Sequence, residues 1–288
     1  MIDEEVRAVQ ADARRGEVMN NGTIHIIDAF TAEPFKGNPA AVCFTEKPLD
    51  DERMQLIAAE MNLSETAFLV PAGDHYSLRW FMPKAEVELC GHATLAAAHF
   101  LWETGQLDGK EAARFSTLSG MLTAVRDGKG IMLDFPSEPV TPDKAPDELI
   151  EALGLIPRFT GRNRMDYLIE VESERAVREL KPDSALLSAL TARGVVVTAR
   201  ADAGTGYDFV SRAFYPALGV PEDPVTGSAH CALTPYWSKR LRRTEMTAYQ
   251  ASSRGGFLRV IDAGDRVKLI GEAVTVLKGE LALDAGRN

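Results

Sequence analysis

Hydrophobic and polar positions along the chain alternate in short runs, and the pattern is mostly that of strands. Such runs recur at 24–30, 39–44, 66–70, 76–82, 120–126, 130–135, 167–172, 194–200, 207–214, 257–262 and 266–277, each bounded by Gly, Pro, Asp or Asn. Runs bounded in this way predict strands, because β-branched and aromatic residues suit a pleated surface and the bounding residues suit turns. Helices are fewer. Met54, Ile57, Ala58 and Met61 fall at i, i+3, i+4 and i+7, which predicts a helix over 51–61 with Asp50 or Asp51 as its N-cap. Residues 143–153 and 173–180 predict two further surface helices.

An internal repeat organises these elements. Residues 79–102 read RWFMPKAEVELCGHATLAAAHFLW, and residues 212–237 read RAFYPALGVPEDPVTGSAHCALTPYW. Both start Arg-x-Phe-x-Pro, pass through an acidic loop into Gly-x-Ala, and continue as an Ala-rich apolar segment. The glycines Gly91 and Gly227 are 136 apart and the arginines Arg79 and Arg212 are 133 apart, so the second loop is three residues longer. The shared order of these matches points to duplication, and hence to two similar domains, each a sheet curled around one helix. The expected division is a first domain of 23–128 plus 272–284 and a second of 129–271, with the charged, Pro-bearing stretch 137–147 between elements of the two.

The two Ala-rich segments support that picture. Ala93, Ala96, Ala97, Phe100 and Leu101 form one helical face, and Leu95, Ala98 and Trp102 make most of the remainder apolar. A helix apolar nearly all round must be buried. The second copy offers Ala229, Ala232, Leu233, Tyr236 and Trp237, with Pro235 inside it, where a kink is expected.

Composition narrows the class. The chain has 288 residues, 45% of them hydrophobic and 26% charged, as in soluble globular proteins. The formal net charge is −10 and no basic tract is present, which disfavours nucleic acid. No apolar run approaches the roughly 20 residues that would span a bilayer. Cys43, Cys90 and Cys231 are too few and too scattered for a disulfide framework, so a reducing, cytoplasmic setting is expected. Residues 1–22 are charged, lack an apolar core, and read as a polar extension rather than a secretion signal.

Candidate chemistry gathers at the repeats. Each places a glycine loop at a helix N-terminus, where unpaired N–H groups and the helix dipole favour an anion. Two such ends facing each other would hold a small carboxylate, although Gly-x-Ala also serves close packing alone. Glu65 lies at a helix–strand junction beside apolar neighbours, where a carboxylate can serve as acid and base in turn, or stand as a solvated cap. His92 and Asp223 are the titratable residues of the two loops, Asp223-Pro224 also being a common turn initiator. His25 and His99 read as core or edge histidines and His75 as a loop tip. Cys90 and His92 with His230 and Cys231 could supply four zinc ligands, but adjacent residues on a helix face different ways, so no metal is expected.

Asp28-Ala29-Phe30, Gly37-Asn38-Pro39-Ala40-Ala41-Val42, Asn62-Leu63-Ser64-Glu65-Thr66, Cys90-Gly91-His92-Ala93-Thr94 and Asp223-Pro224-Val225-Thr226-Gly227-Ser228-Ala229 together resemble the PhzF family of phenazine biosynthesis-like proteins. The resemblance covers nearly the whole chain after residue 22. It implies an α+β, diaminopimelate epimerase-like fold: two pseudo-symmetric, mixed β-barrel-like domains, each wrapping a central helix. It also implies a cofactor-independent isomerase, usually a homodimer, that moves a proton on a small anionic substrate. The name-giving member shifts a proton along the conjugated system of a dihydroaromatic amino acid. By resemblance Glu65 is the acid/base, His92 and Asp223 are catalytic partners, and Gly91, Gly227 and Ser228 bind substrate. Two-cysteine racemases of the wider fold place a thiol at each helix end; Cys90 matches the first place, but the second falls near Pro224. A racemase or epimerase with an altered base pair, using Cys90 with Asp223 or Glu65, and a non-catalytic binder of a small acid are the alternatives.

Overall fold

A computed structural model describes residues 22–282, so the polar extension, apart from Gly22, and the last two residues of the expected first domain lie outside the described residues. The first half of the chain forms β1 (Gly22–Ala29), β2 (Asn38–Phe44), α1 (Asp51–Met61), β3 (Glu65–Pro71), β4 (Tyr76–Phe81), β5 (Glu86–Val87), α2 (Gly91–Glu103), β6 (Ala113–Thr117), β7 (Gly120–Asp127) and β8 (Gly130–Pro136). The second half forms β9 (Thr141–Pro142), α3 (Asp147–Leu153), β10 (Phe159–Arg162), β11 (Asp166–Glu170), α4 (Glu174–Glu179), α5 (Ser184–Ser188), β12 (Gly194–Arg200), β13 (Phe209–Tyr215), β14 (Val220–Asp223), α6 (Gly227–Leu241), β15 (Glu245–Gln250), β16 (Gly256–Asp262) and β17 (Arg266–Gly271). β18 (Ala273–Leu281) then pairs antiparallel with β1.

Strand pairing repeats. β2 runs parallel to β3, β3 antiparallel to β4, β4 parallel to β6, and β6, β7 and β8 follow antiparallel. The same order holds for β11, β12, β13, β15, β16 and β17: parallel, antiparallel, parallel, antiparallel, antiparallel. In each half the parallel crossover into β6 or β15 is made through the buried helix, α2 or α6. β8 pairs with β17 and joins the two sheets.

Local sequence accounts for the helices. Asp50 caps α1 by accepting from Arg53 N at 2.8 Å, and Asn62 closes it in the left-handed conformation. α2 is apolar on nearly every side, and its alanines let strands approach from all directions; Ala93, Leu95, Ala96, Ala97 and Ala98 are buried completely. α6 continues through Pro235. The missing N–H there leaves the Cys231 carbonyl without its helical donor, and Glu138 N supplies one at 3.0 Å. Aromatic rings close the second core, with Trp237 stacked on Phe209 at 5.7 Å and its indole N–H donated to Thr198. Among the described residues no helix is long and apolar enough to cross a membrane.

Three expectations shift. The run over 266–277 is two strands, because the chain leaves β17 beside β8 and enters β18 beside β1 without losing its apolar character. β6, β10 and β15 escape the pattern: their buried positions include Ala113, Gly161, Ala248 and Gln250, which carry little hydrophobic signal. The helix expected from 143 starts only at Asp147, since Pro146 holds the preceding backbone out of the helical region.

Candidate active site

The two repeat helices meet end to end. A Cβ built on Gly91 would stand 3.4 Å from Gly227 Cα, and one on Gly227 the same distance from Gly91 Cα. Neither N-cap, Cys90 or Thr226, makes a side-chain cap hydrogen bond to its own helix. Two positive helix ends therefore abut, and an anion between them would relieve their mutual repulsion.

On the first side Glu65 opens β3 and His92 is the second residue of α2. His92 Nε2 stands 3.1 Å from Glu65 Oε2, with both side chains largely buried. The contact is out of hydrogen-bond alignment, so both atoms are buried without a hydrogen-bond partner among the described residues. The other ring nitrogen, Nδ1, faces Asn38 Nδ2 at 3.3 Å and Cys90 Sγ at 3.5 Å. Burial disfavours the imidazolium, but Cys90 and Glu65 outweigh it and hold the His92 pKa well above the ordinary value. The Cys90 thiol is itself pushed up, first by burial and then by Glu65. A thiol raised in this way is uncharged near neutral pH, which leaves Glu65 as the partner that matters to the imidazolium.

On the second side Asp223 ends β14 and faces the same space. Asn38 Nδ2 donates to Asp223 Oδ1 at 2.8 Å and to Val225 O at 2.9 Å, and Thr226 Oγ1 donates to Asp223 Oδ2. Gln250, fully buried, braces the turn from behind: its amide donates to Asp223 O at 2.8 Å and its carbonyl accepts from Thr226 N at 2.9 Å. Loss of water around Asp223 pushes its carboxyl up to about 6; Glu65 adds to the shift, while His92, Thr226 and Asn38 oppose it. Ser228 Oγ accepts from Arg193 Nη2 at 3.0 Å.

A cavity of about 430 Å3 between the halves is lined by all six expected residues, Glu65, Gly91, His92, Asp223, Gly227 and Ser228. A larger hollow of about 670 Å3, walled by Lys36, Arg254 and Phe257 among others, contains none of them. Sequence reasoning missed Asn38, Arg193, Tyr215 and Gln250 as site residues. Asn38 carried a usable signal, a polar amide at the head of an apolar strand. Arg193 immediately precedes β12 and Tyr215 ends β13, and only the sheet brings them together.

Glu65, Cys90 and His92 place donor atoms within 4.8 Å of one another. They do not converge on a point: Cys90 faces Nδ1 and Glu65 faces Nε2, so the donors thread through the imidazole. A single ion takes one imidazole nitrogen at about 2 Å, so this arrangement suits proton exchange between neighbours better than coordination. His230 Nδ1 lies 2.7 Å from Thr226 O, and Cys231, which lines the cavity, has its Sγ 3.6 Å from Gly227 O.

Comparison with known proteins agrees with the fold. The family described as phenazine biosynthesis-like protein (PhzC-PhzF) matches residues 27–279. An uncharacterized isomerase of Halalkalibacterium halodurans is 56% identical over 261 residues, covering 90% of this chain and 98% of that protein. The crystal structure of a PhzF-family phenazine biosynthesis protein from Enterococcus faecalis superposes with a TM-score of 0.87 at 44% identity, covering 91% of this chain and 99% of the other. A hydroxyproline epimerase from Agrobacterium vitis, 12% identical, shares the fold alone, with a TM-score of 0.61 over 93% of this chain and 94% of its own. The expected α+β epimerase-type fold is the observed one, and the chain belongs to the phenazine biosynthesis-like family and is an isomerase.

Proposed function

We propose that the protein moves a proton on a small carboxylate substrate by acid/base catalysis that needs no cofactor. The substrate lies in the cavity between the halves. Its carboxylate sits against the joined N-termini of α2 and α6, on the backbone of Gly91, Gly227 and Ser228. Glu65 takes a proton from one carbon and returns it to another. His92 holds the Glu65 carboxylate and Asp223 orients the substrate's polar groups. One carboxylate serving both carbons requires them on one face of the substrate, which makes the shift suprafacial.

The observation that carries this reading is the Glu65–His92 contact at 3.1 Å in a largely buried wall beside two abutting helix ends. Helix ends lower the cost of a carboxylate that gains enolate charge as a neighbouring carbon loses its proton. A racemase reading that uses Cys90 as base is less well supported, because burial raises that thiol away from the thiolate. A homodimer belongs to the same reading, and sedimentation of the purified protein reads it.

The test is deuterium uptake from D2O into a panel of small unsaturated and amino carboxylates, followed by mass spectrometry. Glu65→Gln keeps the shape and removes the base, and general acid/base catalysis is worth roughly 100-fold to 10,000-fold. Uptake lowered by at least about 100-fold is expected; uptake within tenfold of wild type rejects Glu65, and no uptake into any acid favours a non-catalytic binder.

A further inference from the structure

The two halves can be superposed residue by residue through their strand registers. Thr66 pairs with Phe81 across β3 and β4, and Val195 pairs with Phe214 across β12 and β13. Phe81 and Phe214 occupy the same place in the Arg-x-Phe-x-Pro repeat. The second-half counterpart of Glu65 is therefore Gly194, and that of Met82 is Tyr215. The exchange is steric. A Cβ on Gly194 would stand 2.1 Å from Tyr215 Cδ1, so the Tyr215 ring occupies the space that a side chain at 194 would take. The half that lacks the glutamate has a phenol at the corresponding wall of the cavity.

That phenol is built into the wall, and its hydroxyl is buried without an aligned partner among the described residues. Tyr215 is only 5% exposed and lines the cavity; Thr226 lies near its hydroxyl, but among the described residues no contact of that hydroxyl meets hydrogen-bond geometry. A buried, unpaired hydroxyl is costly, and natural structures avoid one unless a ligand or water completes it. The residue preceding Gly194 is Arg193, whose guanidinium stacks over the Tyr215 ring at 5.1 Å. Asp166 takes Nε at 2.9 Å and Nη2 at 2.5 Å, and Ser228 takes Nη2 at 3.0 Å. Among the described residues Nη1 makes no hydrogen bond, and Arg193 lines the cavity. Burial, with Asp166, pushes the Tyr215 hydroxyl well above the ordinary tyrosine value, so it remains a donor throughout the physiological range.

We propose that Tyr215 Oη and Arg193 Nη1 form a second oxygen-binding subsite in the active cavity, and that the substrate is a diacid or carries a second anionic oxygen group in addition to the carboxylate held at the helix ends. The proposal rests on the function proposed above and specifies the substrate class of that site. Two donors without an acceptor suit an anionic oxygen, and Arg–Tyr stacking holds them together. Met82, Leu89 and Phe135 also line the cavity and offer contact to a carbon body.

The test is equilibrium binding by calorimetry in carboxylate-free buffer at fixed ionic strength, with two matched pairs of probes: glutarate against pentanoate and isophthalate against benzoate. In at least one pair, the diacid is expected to bind wild type at least tenfold more tightly than the monoacid. Tyr215→Phe keeps the ring and its packing and removes the donor; Arg193→Lys keeps the charge and removes the fork. Each is expected to bring the preference within threefold while monoacid affinity changes less than threefold. A preference that survives in either variant, equal binding of both probes in both pairs, or no binding of either diacid overturns the proposal. Should Arg193→Lys fail to fold, Tyr215→Phe decides alone. The result is separable from that of the Glu65→Gln experiment, which reads proton exchange, whereas this one reads affinity and requires no turnover.

Discussion

The two copies of the repeat build the same scaffold and put opposite chemistry on it. In the first, Arg79 grips Glu86 through Nε at 2.6 Å and stacks over Phe81; in the second, Arg212 grips Glu222 through Nε at 2.7 Å and stacks over Phe214. Trp80 pairs with Val87 and Ala213 pairs with Asp223, so the extra three residues of the second copy lie in the hairpin around Pro216–Leu218 and leave the approach to the helix unchanged in length. From there the copies diverge. Asp223 stands where the first has Val87, Thr226 where it has Cys90, and Ser228 where it has His92. His92 meets a carboxylate, Glu65, and Ser228 meets a guanidinium, Arg193. One half thus sets an imidazole against a carboxylate and the other a hydroxyl against a guanidinium, so the two walls differ in chemistry on a shared scaffold.

If that contrast is right, His92→Asn should be the most damaging change at the shared helix position. Turnover is expected to fall about 100-fold or more, against about tenfold or less for Ser228→Ala, measured as deuterium uptake with the same acid. Equal losses at the two positions would erase the distinction between the walls.

Asp223 sharpens the comparison through pH. Its folded-state pKa of about 6 exceeds the unfolded value of about 4, so the folded state binds the proton more tightly. The resulting stabilisation is fully present below about pH 4 and is lost as pH rises through about 6. It amounts to about 3 kcal/mol at most, since Asp223 faces a cavity rather than solid protein. Urea unfolding of wild type and Asp223→Asn at intervals from pH 4 to 7 should show the variant gaining relative stability across that window. A pH-independent difference would mean that the carboxyl is not raised.

The scaffold ion pairs differ in burial, and their removal should differ with it. Arg212 has 12% side-chain exposure and also donates to the carbonyls of Val177 and Leu180, whereas Arg79 has 29% and pairs outward with Asp51. Arg212→Ala should cost about 2–3 kcal/mol, because it strands a carboxylate and main-chain acceptors away from water. Arg79→Ala should cost about 1 kcal/mol or less, once discounted for solvent screening. Chemical denaturation of the two variants reads both, and costs in the reverse order would contradict the burial argument.

Much of the architecture was legible along the chain. The apolar stripe of α1 with its Asp50 cap, the all-round apolarity of α2 and the matched repeat depend on local spacing and side-chain volume, which the linear order records directly. So does the presence of Glu65 at a helix–strand junction and of His92 and Asp223 in the two repeats, although the structure puts His92 on α2 and Asp223 on β14 rather than in loops. Of the strands that escaped the pattern, β5, β9 and β14 are very short, while β6, β10 and β15 mix apolar Phe115 and Met246 with buried positions, such as fully buried Gln250, that owe their burial to neighbours.

Sequence alone determined the duplication, the two helix ends with their glycines and the identity of the titratable groups, because each is a property of residue type at short range. Only the tertiary structure decided that the helix ends touch, that Glu65 lies against His92, that Asn38 reaches 185 positions along the chain to Asp223, and that Tyr215 fills the place left by Gly194. These depend on strand register and on the closing of one sheet against another through β8 and β17. The many weak contacts that set register are spread over the whole chain, and no local window contains them.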